Sequence, residues 1–169
     1  MVRDGYGEDM VDKLVDEADP PSGGAYTAVG TYPMEELADL LTVLSRESGR
    51  TQAELLVAYG QRLFGRLAAG HPEFMKGHED AFLFLAGIEE IIHVEVRKLY
   101  PDAELPRFGI HWPEPDLLEM TYRSERGLED LAEGLMRGCL SHFEQEVEIN
   151  RDRREDGSVL FSLSRTQNV

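Results

Sequence analysis

Apolar residues recur at three- and four-residue intervals through the first hundred positions, and at every second position only in parts of the last sixty or so. Met10, Val11, Leu14, Val15 and Ala18 share one face of a helix over 8–18, which DPPSGG at 19–24 ends because it cannot continue helical geometry. Pro33 stands at a first helical position, Met34, Leu37, Leu40, Leu41 and Leu44 come after it at helical spacing, and Gly49 supplies a left-handed stop. Thr51 and Glu54 form a capping-box pair ahead of Leu55, Leu56, Tyr59, Leu63, Phe64 and Leu67, and Gly70-His71-Pro72 closes that helix. The spacing then predicts one continuous helix from about Glu79 to Tyr100, closed by Pro101.

After Pro106 the period shortens. Segments 107–112 and 117–124 read as strands, 128–145 as a helix through Leu128, Leu131, Leu135, Cys139 and Phe143, and the end as a hairpin. That hairpin turns at Asp156-Gly157 and places Val159, Phe161 and Leu163 on one face. Helices first, then an antiparallel sheet with one helix between its two hairpins, is an α+β arrangement without internal repeats.

Composition narrows the function classes. Seventeen Lys and Arg against 33 Asp and Glu leave a net charge of −16, which repels phosphate backbones and anionic headgroups, so nucleic acid and membrane surfaces are not expected partners. No apolar run approaches the roughly 18 residues of a membrane helix, and the polar N-terminus has no targeting character, so the expectation is a cytoplasmic protein. The single cysteine, Cys139, leaves no intramolecular disulfide and no multi-thiolate metal site, and on an apolar helical face it reads as a small buried hydrophobe. His71, His78, His111 and His142 lack zinc-ligand spacing. RDRRED at 151–156 reads as a solvated turn, with arginines available to an acidic partner. No nucleophile elbow, P-loop or carboxylate pair is present, so the chain is not expected to be an enzyme.

Two features could carry chemistry. On the 79–100 helix, Leu85, Ile88, Ile92, Val96 and Leu99 form an apolar stripe, while Phe82, Ala86, His93 and Tyr100 run along its shoulder. His93 is then either a core histidine with a local hydrogen bond or a metal or haem ligand on a rigid element. Ala86 and Gly87 leave room for a flat ligand. In an extended strand, Tyr122, Ser124 and Arg126 project to one side, giving two hydroxyls and a guanidinium suited to a carboxylate or phosphate, or else a solvated strand face.

Taken together, His93, Pro106 in AELPRF and the Tyr122-x-Ser124-x-Arg126 motif resemble the haem–nitric oxide/oxygen binding (H-NOX) family, which includes the regulatory haem domain of soluble guanylate cyclase. The likeness runs from GYGEDMVDKLV through IIHVEVRKLYPDAELPRF to the C-terminal hairpin. It implies a single haem-binding domain over 1–169, with a distal helical part at 1–70 and the proximal helix, sheet and hairpin at 71–169. It further implies haem b (iron protoporphyrin IX) held through His93 as the axial metal ligand. Tyr122, Ser124 and Arg126 would hold the propionates, and Pro106 would press on the macrocycle.

Oxygen-binding members carry a tyrosine nine residues after the motif's Tyr; here that position is Leu131, which has no donor. The resemblance therefore implies a ferrous haem that binds NO and CO with little stable O2 binding. Tyr26, Tyr32 and Tyr59 have no place assigned by the sequence. Members usually have a further helix of about ten residues ahead of the GYGED segment, and here GYGED starts at Gly5, so that element is expected to be almost absent. Signalling is expected to pass to a separate histidine kinase or cyclic-dinucleotide enzyme. The competing reading is a haem-free module of the same fold acting through protein or other ligand contacts.

Overall fold

The computed structural model describes residues 1–27 and 30–166, and of Leu99 the backbone only. The chain divides into two compact units, Met1–Tyr59 and Gly60–Val169.

The first unit is helical. α1 (Val2–Tyr6) precedes Gly7, and α2 (Glu8–Ala18) ends on Asp19, whose N–H donates to the Val15 carbonyl and whose left-handed φ of 42° turns the following chain out of the helix. α3 (Met34–Ser48) starts one residue later than the spacing suggested, with Pro33 as its cap, and stops at Gly49 in the left-handed conformation. α4 (Gln52–Gly70) opens with the capping box: Thr51 N–H donates to Glu54 Oε2 at 2.8 Å and Glu54 N–H to Thr51 Oγ1 at 3.2 Å. Leu14, Leu41, Leu44, Leu55 and Leu56, all from the expected apolar faces, are buried. Buried with them is Glu36, which accepts from Ser22 Oγ at 2.6 Å and Tyr26 Oη at 2.9 Å. The Tyr32 hydroxyl accepts from Thr27 N–H, so both of these tyrosines are engaged within their own unit.

The second unit holds the end of α4, α5 (Pro72–Met75), α6 (Ala81–Ala86), a π-helical turn (Glu89–His93), α7 (Val94–Leu99), β1 (Arg107–Glu114), β2 (Leu117–Arg123), α8 (Glu129–His142), β3 (Val147–Arg153) and β4 (Val159–Arg165). The four antiparallel strands run in the order β1-β2-β4-β3, the expected two hairpins with a helix between them. Phe108 opposes Tyr122, Leu118 opposes Leu163 and Met120 opposes Phe161. Period-two alternation puts Leu118, Met120, Tyr122, Val159, Phe161 and Leu163 on one face, where each is buried. Phe82, Phe84 and Leu85 of α6 and Ala132, Met136, Cys139 and Leu140 of α8 complete that core.

Two backbone arrangements position the site. α8 lies against the end of α4 with glycine at the contacts: a Cβ on Gly60 would stand 2.5 Å from the Leu131 carbonyl oxygen, and one on Gly138 2.7 Å from Phe64 Cβ. Asp80 caps α6, its Oδ1 accepting from Leu83 N–H at 3.0 Å while Oδ2 receives Gln145 Nε2 and Arg165 Nη2. Burial alone would raise the Asp80 pKa, but these donors outweigh it and hold the carboxyl below its ordinary value.

The continuous helix expected over 79–100 is instead three pieces. Gly87, at φ −90° and ψ 7°, ends α6, and the chain re-forms as the π-helical turn before α7. A π-turn inserts a residue and so rotates the succeeding helix by about 100°. Apolar spacing of three or four residues tolerates one inserted residue, so the pattern alone does not show the turn. The expected solvated turn at 151–156 is also revised: Arg151, Asp152 and Arg153 are in β3, with Arg151 paired to Asp130 and Arg153 to Glu129 of α8.

Candidate functional site

A cavity of about 390 Å3 opens within the second unit, walled by the end of α4, α5, α6, the π-turn, α7, the first strands and α8. Its volume lies within the roughly 300–1,000 Å3 of ligand pockets. The walls are largely apolar, with Phe64, Leu85, Ile88, Ile92, Val96, Met120, Leu135 and Met136 among them.

All six sequence-derived site residues line it: His93, Pro106, Tyr122, Ser124, Arg126 and Leu131. His93, the last residue of the π-turn, is 6% exposed, and its Nδ1 is sealed from solvent with no hydrogen-bond partner. The expectation of a core histidine satisfied by a local hydrogen bond therefore does not describe that nitrogen. Desolvation lowers the His93 pKa, Glu89 opposes that shift and Arg97 adds to it, so the imidazole is held neutral near pH 7. A neutral imidazole in an apolar cavity is the form that ligates a metal.

The three donors converge by a different route from the one expected. β2 ends at Arg123, so only Tyr122 of the three is on a strand. Ser124 and Arg126 belong to the turn after it, where Ser124 Oγ accepts from Arg126 N–H at 3.2 Å and Gly127 takes a positive φ of 61°. The turn, not strand alternation, brings the guanidinium to the cavity. There Arg126 Nε and Nη2 donate to Glu104 Oε2 at 3.0 and 2.7 Å. Both partners are substantially solvent-exposed, which puts this pair at the mouth. Leu131 contributes an apolar side chain from the first turn of α8.

Several residues that line or support the cavity escaped the sequence reading. Phe108, the second residue of β1, has its ring centroid 6.1 Å from that of His93 and 5.6 Å from that of Tyr122. Its position two residues beyond Pro106, on the inward side of a strand, was a usable signal. Glu89, one turn before His93, accepts from Phe108 N–H at 2.6 Å, a contact across 19 residues that local patterning does not reveal. Phe64 and Leu67 enter from α4, and Glu104 and Leu105 from the segment before Pro106.

Nothing else competes as a metal site: among the described residues, no group of three or more His, Cys, Asp or Glu is arranged to hold a metal ion. Cys139 is fully buried and free, as expected of a small hydrophobe, and burial pushes its thiol pKa up. Among the described residues no helix is long and apolar enough to cross a membrane.

Comparison with known proteins supplies the family. The model of the haem-NO-binding family matches residues 1–151. No curated protein matches the chain. Among solved structures, the Fe(II) unliganded H-NOX protein from K. algicida is 36% identical with a TM-score of 0.91, over 99% of this chain and 92% of that one. The IWP-051-bound H-NOX from Shewanella woodyi, in the Fe(II)CO state, is also 36% identical, with a TM-score of 0.85 over 98% and 89%. An H-NOX protein from S. oneidensis in the Fe(II)NO state is 25% identical, with a TM-score of 0.89 over 99% and 94%. With its helical N-terminal region, four-stranded antiparallel sheet and histidine-bearing cavity, the chain belongs to the haem-NO-binding (H-NOX) family, a haem-binding gas-sensor fold.

Proposed function

We propose that the protein is a ferrous haem sensor that binds NO and CO, forms little stable O2 complex, and signals to a separate effector. The observation that carries this reading is the buried His93 imidazole, whose Nδ1 has no partner, in the wall of an apolar cavity with hydrogen-bond donors at its mouth. Haem b asks for those three things: an apolar slot, one neutral axial nitrogen, and donors for two carboxylates. His93 would be the axial ligand. Arg126, which already grips a carboxylate in Glu104, would take a propionate in its place, with Tyr122 and Ser124 beside it. Pro106, at the cavity wall ahead of β1, would bear on the macrocycle.

Gas preference stems from Leu131. A bound O2 carries more negative charge than NO or CO and depends on a hydrogen-bond donor, which a leucine side chain does not offer. The bound haem supplies the gas-binding iron, and this chain's residues supply its grip and polarity. We assign the chain no catalytic step. A histidine kinase or a cyclic-dinucleotide enzyme is the class of effector proposed, and the cytoplasm its place of action.

The test is optical. The purified chain given hemin should show a Soret band that moves on reduction and again on adding NO, with no oxy spectrum in air. His93→Gly should lose the proximal bond, and added imidazole should restore it. A preparation that ignores hemin would overturn the proposal.

A further inference from the structure

The contact between Glu89 and Phe108 has a consequence for His93 that neither residue suggests alone. Glu89 opens the π-helical turn and His93 closes it, and both reach Phe108, Glu89 through its carboxylate and His93 through its ring. The half-buried Glu89 carboxylate accepts from the Phe108 backbone N–H at 2.6 Å. In the register of β1 and β2, Phe108 opposes Tyr122, and its ring lies between those of His93 and Tyr122, at 6.1 and 5.6 Å. Just before it in sequence is Pro106, another wall residue of the cavity.

Gly87 precedes the turn, and its carbonyl is shared by the N–H groups of Glu90 at 3.1 Å and Ile91 at 2.9 Å. A π-turn has a near neighbour in the regular α-helix, one residue of register away. Something must hold the chain in the wider form. Among the described residues, Glu89 is the one member of the turn whose side chain hydrogen-bonds into the sheet.

We propose that Glu89 is a positioning residue: by clamping the π-turn to the Phe108 amide, it fixes the His93 ring against Phe108 and so sets the direction in which its nitrogen meets the cavity. This rests on the reading of His93 as the axial ligand for its functional meaning, but the clamp itself is a property of the chain alone. With His93 holding a haem, the clamp would keep the start of the turn on β1.

The chain of residues 1–169 without haem provides the direct test. Glu89→Met keeps the length and packing but has no strong acceptor, whereas Glu89→Gln keeps a carbonyl oxygen that can still accept. By NMR, amide exchange at Phe108 should quicken roughly tenfold or more in Glu89→Met, and much less in Glu89→Gln. The His93 ring resonances should move in Glu89→Met, as the Phe108 ring current at His93 changes, and return toward wild type in Glu89→Gln. Unchanged Phe108 exchange and His93 shifts in a folded Glu89→Met chain would overturn the clamp. So would a Glu89→Gln chain with Phe108 fully unprotected, which is the reading to take if Glu89→Met does not fold. Hemin titration of the wild type separates the two ideas: absence of a Soret band refutes the haem reading and leaves the clamp measurements standing on their own. With haem bound, the iron–histidine stretching band should shift in Glu89→Met and return toward the wild-type position in Glu89→Gln.

Discussion

Two glycine-to-alanine substitutions in the same helix should move stability in opposite directions. Gly65 is an exposed interior position of α4 with nothing within 4 Å of where a Cβ would be. Alanine there relieves the backbone entropy cost of glycine, so Gly65→Ala should stabilise by about 1 kcal/mol. Gly60 enjoys the same propensity gain but has no room. Its Cβ would meet the Leu131 carbonyl oxygen at 2.5 Å and the Gly134 carbonyl carbon and Cα at 2.8 Å. These are backbone atoms of α8, which no rotamer change can withdraw. Relieving contacts that close means shifting one helix by the better part of an ångström, an overpacking cost near the upper end of the roughly 1–3 kcal/mol range. Set against the propensity gain, that cost leaves Gly60→Ala with a net loss of about 2 kcal/mol.

For a chain of this length each kcal/mol moves Tm by roughly 2–4 °C, so Gly65→Ala should melt a few degrees above wild type and Gly60→Ala about 4–8 °C below it. Thermal melts monitored by far-UV circular dichroism read both. The displacement should also be felt in the cavity, because Leu131, Ala132, Leu135 and Met136 of α8 line it. Hemin affinity and Soret position should change in Gly60→Ala and stay put in Gly65→Ala. A Gly60→Ala chain that melts at or above wild type would refute the backbone contact between α4 and α8, and with it the placement of Leu131.

Three other substitutions probe the site and its support. Arg126→Ala removes the guanidinium that grips a carboxylate at 2.7 and 3.0 Å, and hemin transfer to apomyoglobin should become several-fold faster. Leu131→Tyr adds a donor to the cavity wall, and a hydrogen bond to charged O2 should tighten its binding by roughly 10- to 100-fold, read as an oxy spectrum in air. Asp80 is held below the ordinary carboxylate pKa, so the unfolded chain binds its proton more readily. The stability it contributes is complete above the unfolded value of about 4 and is lost as pH falls through the folded one. Asp80→Asn should lower Tm at pH 7, with the gap from wild type narrowing as the buffer is taken below about pH 4.

Local chemistry was legible directly from the residues. The capping box at Thr51 and Glu54, the left-handed stop at Gly49, and the inward set Val159, Phe161 and Leu163 each depend on neighbours a few residues apart, and the structure has all of them. The motif residues His93, Pro106, Tyr122, Ser124, Arg126 and Leu131 were also named from the sequence, and they meet around one cavity. What the sequence left open depends on contacts between distant segments. A π-turn is stable or not according to what its side chains reach, and Glu89 reaches an amide 19 positions away. Arg126 arrives by way of a turn, and its carboxylate partner Glu104 lies 22 positions earlier. Hydrophobic periodicity and capping are energies of near neighbours along the chain, so they can be read in one dimension. The orientation of an imidazole, the partner of a guanidinium and the closeness of two helices are set by atoms that meet only once the chain has folded.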